Sequence, residues 1–304
     1  MARMAEYKTS TLIILALAAL MILMMVLSPL MPLFWGDDEP DNAAQPTQPP
    51  GSDARTPLND FGKLVDHPLD SIADGLNSSP PGVIMAQYVR AGDLEGTPLM
   101  EPLVEQQIII PHEFYGTNIS QSYYAGFWDN TWIGMHTLDP RKFAFGYIAL
   151  RPYEYDGYHM FIRPQKDVNG DYMCNIMGDP CILGPRSKVE ATADVIDDES
   201  APNAYPNFEN LLMAVDLDAP YQEVRMYSSV ANQYYAAVRP VGDVCERTIT
   251  CSGISENTTA RANELAANTT DNLECAVAFN QGDLNLTIIT ISGDCDAVMA
   301  AEIN

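Results

Sequence analysis

From Thr9 to Gly36 the chain carries no charged residue, and Leu12 to Leu27 is unbroken apolar sequence. A helix rises ~1.5 Å per residue, so ~20 apolar residues cross a ~30 Å hydrocarbon core. Leu12–Trp35 meets that length. Ser28, Pro29 and Pro32 fall in its last turns, where a kink or a helix end costs least. A cleaved signal peptide would carry an apolar region of ~7–15 residues followed by small residues at the cleavage site. Here the run is longer, and Ser-Pro-Leu-Met-Pro-Leu-Phe-Trp follows it. The sequence therefore predicts a retained transmembrane helix over residues 11–35. Trp35 stands where interfacial aromatics are favoured.

The flanks set an orientation. Arg3 and Lys8 precede the run, whereas Asp37, Asp38, Glu39 and Asp41 follow it. Basic residues stay on the cytoplasmic side, so residues 1–10 form a cytoplasmic tail and the bulk of the chain is periplasmic or extracellular. Residues 36–82 read as a Pro-rich acidic linker with short helical turns near Phe61–Val65 and Ser71–Leu76. The formal net charge of −25 repels nucleic acid and reads as a solvated, salt-tolerant surface rather than a dedicated cation site.

Beyond the linker the pattern is that of strands. Val83–Val89, Gln107–Ile110, Phe143–Leu150, Tyr158–Ile162 and Tyr172–Met177 are short aromatic or β-branched runs bounded by Gly, Pro or Asp. Asn169-Gly170 between the last two marks a tight hairpin. Lys188–Ala193, Leu211–Val215, Glu223–Val230 and Tyr234–Val238 extend the series. Residues 83–240 are thus expected to form an antiparallel β-sandwich or barrel-like external domain. Residues 241–304 are expected to form a small disulfide-braced α+β subdomain. It would hold a helix capped at Ser255 and a hairpin of Glu274–Phe279 with Leu284–Ile291.

All six cysteines lie after the apolar run, which points to disulfides in an oxidising compartment. Proximity in sequence suggests Cys174–Cys181, Cys245–Cys251 and Cys275–Cys295. None has Cys-x2–4-Cys spacing and no histidine sits near them, so no zinc site is expected. The four histidines, His67, His112, His136 and His159, form no metal-binding motif. A cluster of His112, Glu113 and His136 beside Asp129 or Asp139 is conceivable only through the fold. Nucleophile, phosphate-loop and haem motifs are missing, so no catalytic residue, metal or cofactor is assigned. Asp167-Val-Asn-Gly-Asp has Gly178 at the twelfth position and reads as a turn, not a calcium loop. Five glycosylation sequons begin at Asn77, Asn118, Asn257, Asn268 and Asn285.

Aromatic residues crowd Phe114–Phe161, and Trp128-Asp-Asn-Thr-Trp132 is the best local candidate for an exposed contact loop. The expected partner contacts are Trp128 and Trp132, with Phe34 and Trp35 at the membrane. Together these features describe a single-pass accessory or structural subunit of a larger membrane assembly. Its partners would be other membrane-protein subunits and the bilayer itself. A surface binding or adhesion module using the aromatic face is the second reading, and a membrane-tethered hydrolase with dispersed residues the third.

Overall fold

A computed structural model describes residues 55–60, 62–105, 115–144, 151–268, 273–281 and 285–303. The apolar run, Phe34, Trp35, His112 and the expected strand Gln107–Ile110 lie outside them, as does most of Phe143–Leu150. Among the described residues no helix is long and apolar enough to cross a membrane.

The elements run β1 (Thr56–Pro57), β2 (Val65–Asp66), α1 (Ile72–Ser78), β3 (Val83–Arg90), α2 (Met100–Glu105), β4 (Asn118–Phe127) and β5 (Trp132–Asp139). There follow β6 (Lys142–Phe143), β7 (Arg151–Tyr155), β8 (Tyr158–Lys166), β9 (Tyr172–Ile176), β10 (Gly178–Asp179), β11 (Cys181–Pro185), α3 (Arg186–Asp197) and α4 (Glu209–Leu212). The chain continues with β12 (Tyr221–Met226), β13 (Ala231–Val241), β14 (Val244–Ile254), α5 (Glu256–Ala267), β15 (Leu273–Gln281), β16 (Leu286–Gly293) and α6 (Cys295–Ala300).

Twelve strands form one antiparallel sheet in the order β15-β16-β14-β13-β12-β3-β4-β5-β11-β9-β8-β7. This corrects the expected sandwich or barrel: the ladder is single, and its edges β15 and β7 do not pair with each other. Helices rather than a second large sheet cover most of its faces, and β1 pairs with β6 and β2 with β10 in two short two-stranded sheets. One face carries a row across five strands, Tyr235, Val224, Ala86, Ala125 and Ile133. The two alanines in that row leave room for α1. Gly75 of α1 sits so close to the Tyr123 ring that a Cβ there would lie 2.2 Å from it. Phe208, Leu211 and Leu212 close the same core, and α3 extends it over Cys174, Ile176 and Ile182 through Val189 and Ala193. The second face is covered toward β15 by α2, α5 and α6, and toward β7 by Leu58, Tyr115 and Phe143. Its middle carries the row Glu223, Gln87 and Tyr124 over β12, β3 and β4, which ends on Gly134 of β5.

Several boundaries shift. Leu58, Val65, Leu69, Ile72 and Leu76 are buried, so the stretch after Arg55 belongs to the fold rather than to a linker. The expected division at residue 240 falls in the β13–β14 hairpin, where Val241 pairs with Val244 inside one sheet. Lys188–Ala193 and Leu211–Val215, expected as strands, lie in α3 and at α4. Val189, Thr192, Ala193 and Val195 bury one stripe of α3, a helical rather than a two-residue period. Ser255 caps α5 as expected, and Ser71 caps α1, the helix expected near Ser71–Leu76. The β8–β9 hairpin closes with Gly170 at φ +84° and Asp167 Oδ1 accepting from the Asn169 and Asp171 amides. All five sequon asparagines are exposed.

The disulfide pattern is also corrected. Cys245 is bonded to Cys295 across 50 residues, and Cys174, Cys181, Cys251 and Cys275 are free thiols. Cys245 and Cys251 lie six residues apart on β14, roughly 20 Å along an extended strand, which no disulfide spans. Cys174 pairs with Gly184, three residues from Cys181, so the two side chains point to opposite faces. Cys295 starts α6 directly over β14, while Cys275 is on the edge strand β15. Burial pushes the thiols of Cys181 and Cys251 up to about 12 and raises those of Cys174 and Cys275.

Candidate functional site: an exposed aromatic ridge

The β4–β5 hairpin turns through Trp128-Asp129-Asn130-Thr131, with Asn130 at φ +59°. Asp129 accepts from the Thr131 amide at 3.1 Å and from the Thr131 hydroxyl, which tightens the turn. Its other oxygen lies 2.9 Å from Lys188 Nζ on α3. These contacts, the Thr131 bond first, hold the Asp129 carboxyl down at about 2. Lys188 also stacks on the Phe127 ring, and the Trp128 amide donates to Gly82 O at 3.4 Å. The loop is braced from three directions.

That brace presents Trp128, which is 62% exposed. The Tyr227 ring lies against it at 5.6 Å and is itself 67% exposed. Tyr227 follows β12, which reaches the same end of the sheet as β4. Its φ of +52° is in the left-handed region, a conformation that costs a bulky residue on the order of 1 kcal/mol and recurs at functional positions. Its amide donates to Asn232 O at 2.7 Å, which fixes the turn.

Around the corner on the sheet face, Trp132 stacks on Tyr124 at 5.8 Å and 25°. Gly126 opposes Met85 there, and a Cβ at Gly126 would lie 3.0 Å from Met85 Cγ, so glycine lets the row lie flat. Trp128 and Trp132, the two contact residues expected from the sequence, therefore flank one ridge but contact different tyrosines, Trp128 with its ring tilted on Tyr227 and Trp132 stacked on Tyr124. Tyr227 was missed, because nothing local ties residue 227 to residue 128.

Behind the ridge the same face buries a carboxylate. Glu223 is 6% exposed and accepts from Tyr221 at 3.0 Å, Tyr234 at 2.8 Å and Arg225 Nε. The sequence signal was two opposite charges at strand spacing inside Tyr221-Gln-Glu-Val-Arg.

The expected histidine–carboxylate cluster does not form with His136. Its ring is fully buried, 3.0 Å from the Tyr115 hydroxyl, which accepts from Asn175 Nδ2 at 3.2 Å; Arg163 Nε in turn donates to Asn175 Oδ1. Burial, helped by the Arg163 charge, lowers the imidazole to about 4. Cys181 faces His136 across β5–β11, but its thiol donates to Gly178 O, so no Cys–His pair is assembled. His67 bonds Ser78 and the Pro68 carbonyl. Among the described residues no cluster of His, Cys, Asp or Glu could hold a metal.

No protein-family model and no curated protein matches this sequence. Crystal form III of a protein named TP0453 aligns at 10% identity and a TM-score of 0.41, covering 77% of this chain and 98% of that one. Crystal form I aligns at 12% identity and 0.39, covering 76% and 97%. Likeness at that level carries no argument about fold or function.

Proposed function

We propose that this protein is a single-pass, membrane-anchored subunit of a larger membrane assembly, with its folded part on the extracytoplasmic side and the aromatic ridge as its docking surface. One observation supports the docking half above all: Trp128 and Tyr227 lie ring against ring, mostly exposed, on a braced hairpin and a strained turn. Interface cores are enriched in Trp and Tyr, and rigid presentation lowers the entropy cost of binding. The membrane half rests on Leu12–Trp35 and its charge asymmetry, with Phe34 and Trp35 adding contacts at the bilayer surface.

Topology is tested with an introduced thiol, since Cys174, Cys181 and Cys251 are buried and Cys275 is half-buried. Asp243→Cys sits in the exposed β13–β14 turn. A membrane-impermeant maleimide should label it in intact cells, or in spheroplasts where an outer membrane intervenes. Labelling that needs lysis would overturn the orientation. A binding or adhesion module using the same ridge is the second reading. It differs in capturing a soluble ligand instead of co-purifying with membrane subunits after gentle solubilisation.

A further inference from the structure

Beside Glu223, between β12–β13 and the segment that follows α6, the sheet opens into a cavity of about 350 Å³. Two guanidiniums line it, Arg225 and Arg247, in a chain with only 16 basic against 41 acidic residues. Each is fixed by one bond. Arg225 Nε donates to Glu223, and Arg247 Nη1 donates to Ala301 O at 3.1 Å. Further N–H groups on both remain for a ligand. Glu223 already accepts three donors, so it orients Arg225 instead of receiving a cation. Val230, Met299 and Ile303 supply an apolar wall.

We infer that this cavity binds a small organic carboxylate with an apolar body, its head on Arg225 and its body against Val230 and Met299. Planar guanidinium suits a carboxylate in a forked pair. Glu223 and Glu302 balance the two arginines, so the lining has no net positive charge to hold a polyphosphate, while the remaining guanidinium N–H groups suffice for a single carboxylate. A volume of this size is at the lower end for small-molecule pockets.

Equilibrium dialysis of the full-length chain in detergent against benzoate reads the site, with benzylammonium as the matched cation. The expected result is saturable one-site uptake of benzoate and none of benzylammonium. Arg225→Gln should weaken it about tenfold, the loss of one charged hydrogen-bonded contact. Met299→Trp fills the cavity from α6 without touching the ion pair and should abolish uptake, so it decides the matter if Arg225→Gln does not fold. Arg239→Gln, whose partner Asp216 lies across the sheet, should bind as wild type. Absent saturable uptake by the wild type, equal uptake of the cation, or full uptake by Met299→Trp would each overturn the site.

Discussion

On the half of the second sheet face nearer β15, Glu223 is a buried carboxylate with three donors. On the half nearer β7, His136 is a buried imidazole whose Nδ1 meets Tyr115 and whose Nε2 has no partner among the described residues. The first half is also cross-linked by Cys245–Cys295, whereas Cys174 and Cys181 in the second are free. The difference follows from what each group loses on leaving water. A carboxylate held as an ion must find donors, and β12 supplies Tyr221 and Arg225 two residues either side of it, with Tyr234 from β13. An imidazole can instead give up its proton and stay neutral, so a single unmatched N–H is tolerable.

The largest test of that contrast is covalent. Cys245→Ser should destabilise the folded part by about 4 kcal/mol, the loop-closure value for a loop of this size. Urea titration of both proteins checks it, and a reductant should lower the wild-type midpoint while leaving the variant unmoved. Equal midpoints would mean the bridge braces nothing.

Next comes the carboxylate. Glu223→Ala leaves Tyr221, Tyr234 and Arg225 without their acceptor. Breaking a buried pair costs ~3–5 kcal/mol, and the partial exposure of Arg225 reduces this to about 3 kcal/mol. His136→Phe, by contrast, keeps the Asn175–Tyr115 bond and removes the unmatched Nε2, but the Tyr115 hydroxyl loses its His136 contact, so it should destabilise at pH 7.5 by about 1 kcal/mol, less than Glu223→Ala.

A pH-dependent effect separates the two halves further. The folded pKa of His136, about 4, lies below the ordinary 6.5. Below pH 6.5 the unfolded chain takes up a proton that the folded chain refuses until about pH 4. Its stabilising contribution is therefore complete above 6.5 and is lost as pH falls toward 4, on the order of 3 kcal/mol in all. Denaturation midpoints from pH 7.5 to 4.5 should fall less steeply in His136→Phe than in wild type. Parallel curves would show that His136 takes up its proton at the same pH in the fold as in the unfolded chain.

What could be read from the sequence was local. Asn169-Gly170 announced the β8–β9 turn, Ser71 and Ser255 announced helix starts, and the aromatic runs announced strands. α3 was misread because Val189, Ala193 and Val195 suit either period over so short a window, and only packing on Cys174 and Ile182 decides. The bridge from Cys245 to Cys295 and the contact of the Tyr227 ring with Trp128 depend on pairings between distant strands. So does the convergence of Arg225 and Arg247 on one cavity. Trp128 could be named from its hairpin, but its neighbour could not.

The most direct test of the docking surface is co-purification of the tagged full-length chain carrying Trp128→Ala and Tyr227→Ala together, solubilised gently and read by quantitative mass spectrometry. Both rings are exposed and their removal should change the unfolding midpoint little, by about 0.5 kcal/mol per site. The expected result is a folded, membrane-inserted protein that has lost the membrane partner recovered with the wild type, a loss of ~2 kcal/mol or more per central aromatic contact. Undiminished recovery of that partner with the double variant would contradict the ridge as the docking surface.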